Sequence, residues 1–118
     1  MGEESKKAQE RVKEIILKHK GFDNAISSRE INEEIDVDNV GSFPGTRQII
    51  RTLIIDEEIP IASSGNGYYV VETEEELAEY LESLEGRMLS IADRKWAIQR
   101  AAVNWEEDIE SSEDRDLL

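Results

Sequence analysis

With 118 residues and no cysteine, the chain has room for one cored domain plus an added helix, and it cannot build a disulfide framework, a thiolate metal site or a cysteine nucleophile. The opening MGEESKKAQE is too polar for a signal peptide, and no apolar run approaches the roughly 20 residues of a membrane span, so a soluble protein of a reducing cytoplasm is expected. The formal charge of −14 argues against a chain that simply coats itself onto phosphate, although the charge is segregated rather than spread.

In chain order, SKKAQERVKEIILKHK (residues 5–20) spaces Ala8, Val12, Ile15 and Ile16 for one face of a helix, which Gly21 would stop. Ser27, followed three residues later by Glu30, is a capping box, and the helix it opens carries Ile31 and Ile35. A short strand around Ala25 and Ile26 can join any sheet formed later. DVDNVGSFPG reads as a loop. A third helix runs through TRQIIRTLIIDEE, with Ile49, Ile50, Leu53 and Ile54 as its apolar stripe. After Pro60 the period changes from helix to strand: IPIAS and GYYVV flank SGNG, a turn in which Gly and Asn tolerate positive φ, and the pair predicts a β-hairpin. Alternation places one of Tyr68 and Tyr69 in the core and the other outside.

Thr73 is the expected N-cap of a last helix, whose first turn is rich in glutamate. Its apolar positions step alternately by four and three: Leu77, Leu81, Leu84, Met88, Ile91, Lys95, Ile98, Ala102, Trp105 and Ile109. That is a heptad seam broken only at Lys95, with Gly86 as a place where the helix can break or bend. Two uses of the stripe stay open, packing back onto the chain's own domain or pairing with a second chain. Residues 106–118 are too charged to pack.

The fold class is therefore mainly α with a small β-hairpin, α+β, in the order of a winged helix-turn-helix with a C-terminal helical extension. Residues 1–72 form the winged-helix domain, 73–105 the extension, and 106–118 an acidic, disordered tail. Charge follows the same divisions. Residues 1–20 hold six bases against four acids, 73–86 six glutamates and no base, 87–105 four bases against Asp93 alone, and 106–118 seven acids with one arginine. The acid excess can also be read as solubility, or as adaptation to a salty cytoplasm.

In helix-turn-helix docking the second helix of the pair enters the major groove with its early residues on base edges. Here the exposed candidates are Thr46, Arg47, Gln48 and Arg51: arginine can pair bidentately with guanine, glutamine with adenine, and threonine can reach phosphate. The hairpin would add Ser63, Ser64, Asn66 and the backbone N–H groups of Gly65 and Gly67. Arg47 and Arg51 could equally be solvated and paired with nearby acids. The dimerisation candidates are Leu84, Met88, Ile91, Lys95, Ile98, Ala102 and Trp105. A homodimer would suit a two-fold operator, whereas the same fold with acidic faces would suit an adaptor for a basic protein.

Residues 26–105 also resemble a group of small winged-helix proteins encoded by phages, proviruses and some bacteria and archaea. The likeness is carried by the wing, Pro60, Ile61, Ser63, Ser64, Gly67, Tyr68 and Tyr69, then by the TEEEL helix start and a long helix with spaced arginines. Ile54 and Ile55 stand where such proteins often carry arginine. The resemblance implies a double-stranded-DNA-binding protein, a transcriptional regulator or replication accessory, with Arg47, Gln48, Arg51 and the wing as its contacts. Nothing in the sequence suggests an enzyme, a cofactor, a metal or a small-molecule substrate. His19, the only histidine, sits between two lysines as a surface residue, and SGNG and GSFPG lack the lysine of a phosphate-binding loop.

Overall fold

The computed structural model describes residues 2–39, 41, 43–107 and 109–110. Among them are four α-helices and one two-stranded antiparallel sheet, so the chain is mainly helical, α+β: α1 (Gly2–Ile16), a 3-10 turn (Phe22–Asn24), α2 (Ser28–Ile35), α3 (Pro44–Asp56), β1 (Ile61–Ser64), β2 (Gly67–Val70) and α4 (Glu74–Val103). Residues 1–81 form one unit and 82–118 a second. The division falls inside α4, whose first turns belong with the helices and hairpin. Most of the acidic tail, including all of residues 111–118, lies outside the described residues. No described helix is long and apolar enough to cross a membrane.

α1 ends at Ile16, four residues before the end its periodicity suggests. Residues 19–21 are needed elsewhere: Val70 donates its N–H to the His19 carbonyl and Gly21 donates to the Val70 carbonyl, both at 2.9 Å. Gly21 makes this departure with φ of 91°, a conformation open mainly to glycine. The same flank of β2 also receives Ile26, which exchanges two 2.8 Å hydrogen bonds with Tyr68, so the short extended segment expected near Ala25–Ile26 does pair with the hairpin. Gly67 (φ 126°) passes so close to it that an added Cβ would stand 2.2 Å from the Ile26 carbonyl oxygen.

The capping box is present: the Glu30 N–H donates to Ser27 Oγ at 3.1 Å, and the Ser27 N–H donates to the Glu30 carboxylate at 3.0 Å. Helices α1, α2 and α3 close over the hairpin on one core of Val12, Ile15, Ile16, Ile26, Ile31, Ile50, Leu53, Ile59, Ile61 and Val70. The buried stripe of α3 is Thr46, Ile50 and Leu53, at helical spacings of four and three. Ile49 only packs against its edge. Ile54, expected in the stripe, is exposed, because it follows directly after Leu53 and the helix turns it about 100° away. The tyrosines do alternate, Tyr68 on the core side with Val70 and Tyr69 on the other face, but neither is left outside. Tyr69 is buried edge-to-face against Phe22, 5.7 Å between ring centres, while Tyr68 is half-buried against the core.

α4 is a 30-residue helix that runs unbroken through Gly86. Thr73 caps it, its Oγ1 accepting the Glu76 N–H at 3.1 Å. The helix ends at Val103, so Trp105 and Ile109, the last two steps of the heptad, are not on it. The chain beyond turns so that both still border a groove of about 270 Å³ shared with Ile98, Ala101 and Ala102.

Candidate nucleic-acid interface

The N-terminus of α3 is set by a residue outside the helix. Its N-cap, Phe43, sits at φ 51° and offers no side-chain acceptor, and Pro44 at the first position has no N–H to satisfy. The next two donors are met by Asp38 in the preceding loop. One carboxylate oxygen accepts the Gly45 N–H at 2.7 Å; the other accepts the Thr46 N–H and the Thr46 hydroxyl, both at 2.8 Å. Burial pushes the Asp38 carboxyl up, but these donors outweigh it and hold the group below its ordinary value. Asp38 is held in turn by Asn32 of α2. The Asn32 amide oxygen accepts from the backbone of Val37 (2.9 Å) and Asp38 (3.0 Å), and its nitrogen donates to the Asp38 carbonyl at 3.1 Å. Side chains thus tie α2, the loop and α3 into one frame.

This frame corrects one expected contact. Thr46 is completely buried, with its hydroxyl spent on Asp38, so it is not an exposed group free to meet phosphate. Its spacing from Ile50 and Leu53 puts it on the inner stripe. Arg47, Gln48 and Arg51 are exposed as expected. The Arg51 guanidinium donates to Gln48 Oε1 at 3.0 Å, which holds the two side chains together on one helical turn. Among the described residues no carboxylate lies within ion-pair distance of Arg47 or Arg51, whereas Arg11 pairs with Glu34 (3.0 Å) and Lys13 with Glu57 (2.7 Å).

At the other end of α3 the acids divide. Glu57 turns toward α1 and accepts from Lys13 and from Gln9 (2.8 Å); the Lys13 hydrogen bond is the main reason its pKa is lowered, and the same contact raises that of Lys13. Asp56 and Glu58 stay exposed beside Ile54 and Ile55.

The hairpin supplies less than its sequence suggests. Ser63 is half-buried with its hydroxyl 3.3 Å from the Tyr80 hydroxyl. Ser64 is half-buried too, and stiffens the turn by accepting the Asn66 N–H at 3.1 Å and donating to the Gly67 carbonyl at 3.4 Å. Only Gly65 and Asn66 are fully open at the tip. One cation escaped the sequence reading. Arg29, exposed near the start of α2, stacks over the Phe43 ring, 5.3 Å from its centre, at the entrance to α3. Its place in the first turn of a capped helix was legible; its neighbour was not, since Phe43 is fourteen residues away.

Among the described residues no group of three or more His, Asp or Glu side chains is placed to hold a metal ion. His19 Nδ1 lies 2.9 Å from the Asn24 carbonyl. Compared with protein-family models, with curated proteins and with solved structures, the chain matches none.

Proposed function

We propose that the chain is a winged helix-turn-helix protein that binds duplex DNA, with α2 and α3 as the helix-turn-helix, the β1–β2 hairpin as the wing, and a role as transcriptional regulator or replication accessory. One observation carries the reading. In a chain of −14, the arginines on the exposed face of α3 are free of carboxylates among the described residues, while Asp38, in the loop before the helix, is turned inward to hold it. Arg47 and Arg51 stand one turn apart with Gln48 between them, a set able to reach guanine and adenine edges or adjacent phosphates. Arg29 on α2 and the backbone of the wing tip would take further phosphate contacts.

The test is fluorescence anisotropy of a labelled random-sequence duplex, titrated at several salt concentrations. Binding should fall linearly on a log–log salt plot, and Arg47→Ala with Arg51→Ala should weaken it and flatten the slope by about 1 for each phosphate no longer neutralised. Unchanged binding by the double variant would remove α3 as the reading surface. A second reading is favoured by the far end of α3, where the exposed Ile54 and Ile55 adjoin Asp56 and Glu58. An apolar and acidic edge suits a basic protein better than phosphate. Absence of duplex binding even at low salt selects that adaptor reading.

A further inference from the structure

Phe43 occupies a backbone position that favours glycine, and its ring gives nothing to the core. It belongs neither to the buried cluster nor to the side chains packed against that cluster, yet it holds the N-cap of α3 at φ 51°, ψ 56°. An N-cap ordinarily lies in the β region, and a residue before proline is pushed there as well. A bulky side chain at positive φ is therefore strained twice over, and such strain persists where something else uses the residue.

The contact that the ring makes is with Arg29. The guanidinium carbon stands 5.3 Å from the ring centre, in the range of a cation on an aromatic face. Arg29 had a competing partner. Glu33 is exposed one turn further along α2, at the spacing where helical ion pairs form. Even so, no carboxylate among the described residues lies within ion-pair distance of Arg29. Its neighbour Glu30 is spent on the Ser27 cap. A guanidinium stacked on a ring is held by its face and keeps its N–H groups for an anionic acceptor, whereas a pair with Glu33 would have used them.

We propose that Phe43 is a positioning residue: its ring draws Arg29 away from the acids of α2 and fixes the guanidinium at the entrance to α3, ready for a phosphate of the duplex. The inference rests on the reading of α2 and α3 as a DNA-binding helix-turn-helix, and it adds a residue that acts on DNA only through another. Without the ring, the Arg29 side chain would have to be ordered at the moment of binding, which lowers affinity by about two- to tenfold.

The test is duplex binding by the full chain, read by anisotropy as a function of salt. Phe43→Leu, which removes the aromatic face with little change in bulk, should weaken binding about two- to tenfold, and Phe43→Tyr, which keeps the ring, should restore it. Arg29→Ala should weaken binding and flatten the log–log salt slope by about 1. Adding Phe43→Leu to Arg29→Ala should bring no further loss. Urea midpoints show which variants are folded. Should Phe43→Leu not fold, Arg29→Lys carries the test, since it keeps the charge without the planar fork and should lose affinity at unchanged slope. Wild-type affinity in Phe43→Leu or in Arg29→Lys, or a Phe43→Leu loss that persists beside Arg29→Ala, overturns the proposal. The reading beneath it fails differently. A wild-type chain that binds no duplex removes both, whereas weakening by Arg47→Ala with Arg51→Ala beside an unaffected Phe43→Leu removes the role of Phe43 alone.

Discussion

Removing the Asp38 carboxylate should cost more stability than its position in a loop suggests. Asp38→Ala takes away three acceptor contacts of 2.7–2.8 Å and leaves the Thr46 N–H and hydroxyl without partners in a residue that no water reaches. Each buried donor left unmade costs roughly 1–3 kcal/mol, and loss of a helix cap alone about 1 kcal/mol. Some relaxation will let Gly45 find solvent, so about 3 kcal/mol is expected, a large share of the roughly 5–15 kcal/mol typical of a domain. Urea unfolding followed by far-ultraviolet circular dichroism measures it, as a lower midpoint at unchanged slope. Thr46→Val, which removes only the hydroxyl, should cost less. The two losses should not add, because both act on one contact.

The contribution of Asp38 also has a pH signature. Its folded-state pKa lies below the ordinary 3.8, so as pH falls the unfolded chain takes up the proton first. The stabilisation is complete above the ordinary carboxylate range and is lost as pH falls through the folded-state value. The wild-type and Asp38→Ala stabilities should therefore converge in acid. A loss below about 0.5 kcal/mol at neutral pH, or a gap that does not narrow in acid, would refute the account of α3 as a helix capped from a distance.

Two further substitutions test other joints of the fold. Gly67→Ala sets a Cβ 2.2 Å from the Ile26 carbonyl oxygen at a φ that L-residues avoid, so it should destabilise by about 2 kcal/mol or more and free the hairpin from residues 19–26, read as faster amide exchange at Tyr68 and Val70. Glu76→Gln leaves the N–H groups of Phe22 and Glu72 with one acceptor oxygen where they now have two, at 2.9 and 2.8 Å. Those backbone hydrogen bonds hold the Glu76 pKa below 4.5, so its contribution is present above that value and lost as pH falls through the folded-state pKa. Midpoints of thermal unfolding should fall less steeply with acid in the variant than in the wild type; equal acid limbs would count against the contact.

Local rules read well where the fold obeys local physics. The Ser27–Glu30 box, the Thr73 cap and the SGNG hairpin each involve residues within a few positions of one another, and all are present. What escaped is set by contacts between distant positions. α1 stops early because β2 recruits residues 19–21, which no helical propensity can report. Thr46 looks like an exposed polar residue until Asp38, eight residues upstream, is seen to take its hydroxyl. Its place on the inner stripe was open to helical spacing, but threonine is so often solvated that the pattern carried little weight. In the second half of α4 the heptad was plain, yet its end was not, since Trp105 keeps the period after the helix has stopped.

The acidity itself bears on how the surface of α3 can work. An acid pointing away from an interface still projects its field unless a cation stands beside it or hydrogen bonds hold it elsewhere. Glu57, at the end of α3, is neutralised by Lys13 at 2.7 Å, and Glu34 of α2 by Arg11 at 3.0 Å, so two cations are held on acids that flank α2 and α3. Asp38 meets backbone and hydroxyl donors instead of a cation, and its charge lies at the N-terminus of α3, where the helix dipole opposes it. Six glutamates crowd into residues 74–85 of α4, separate in the chain from the arginines of α3. The acids are thus placed so that, among the described residues, Arg47 and Arg51 have no carboxylate within ion-pair distance.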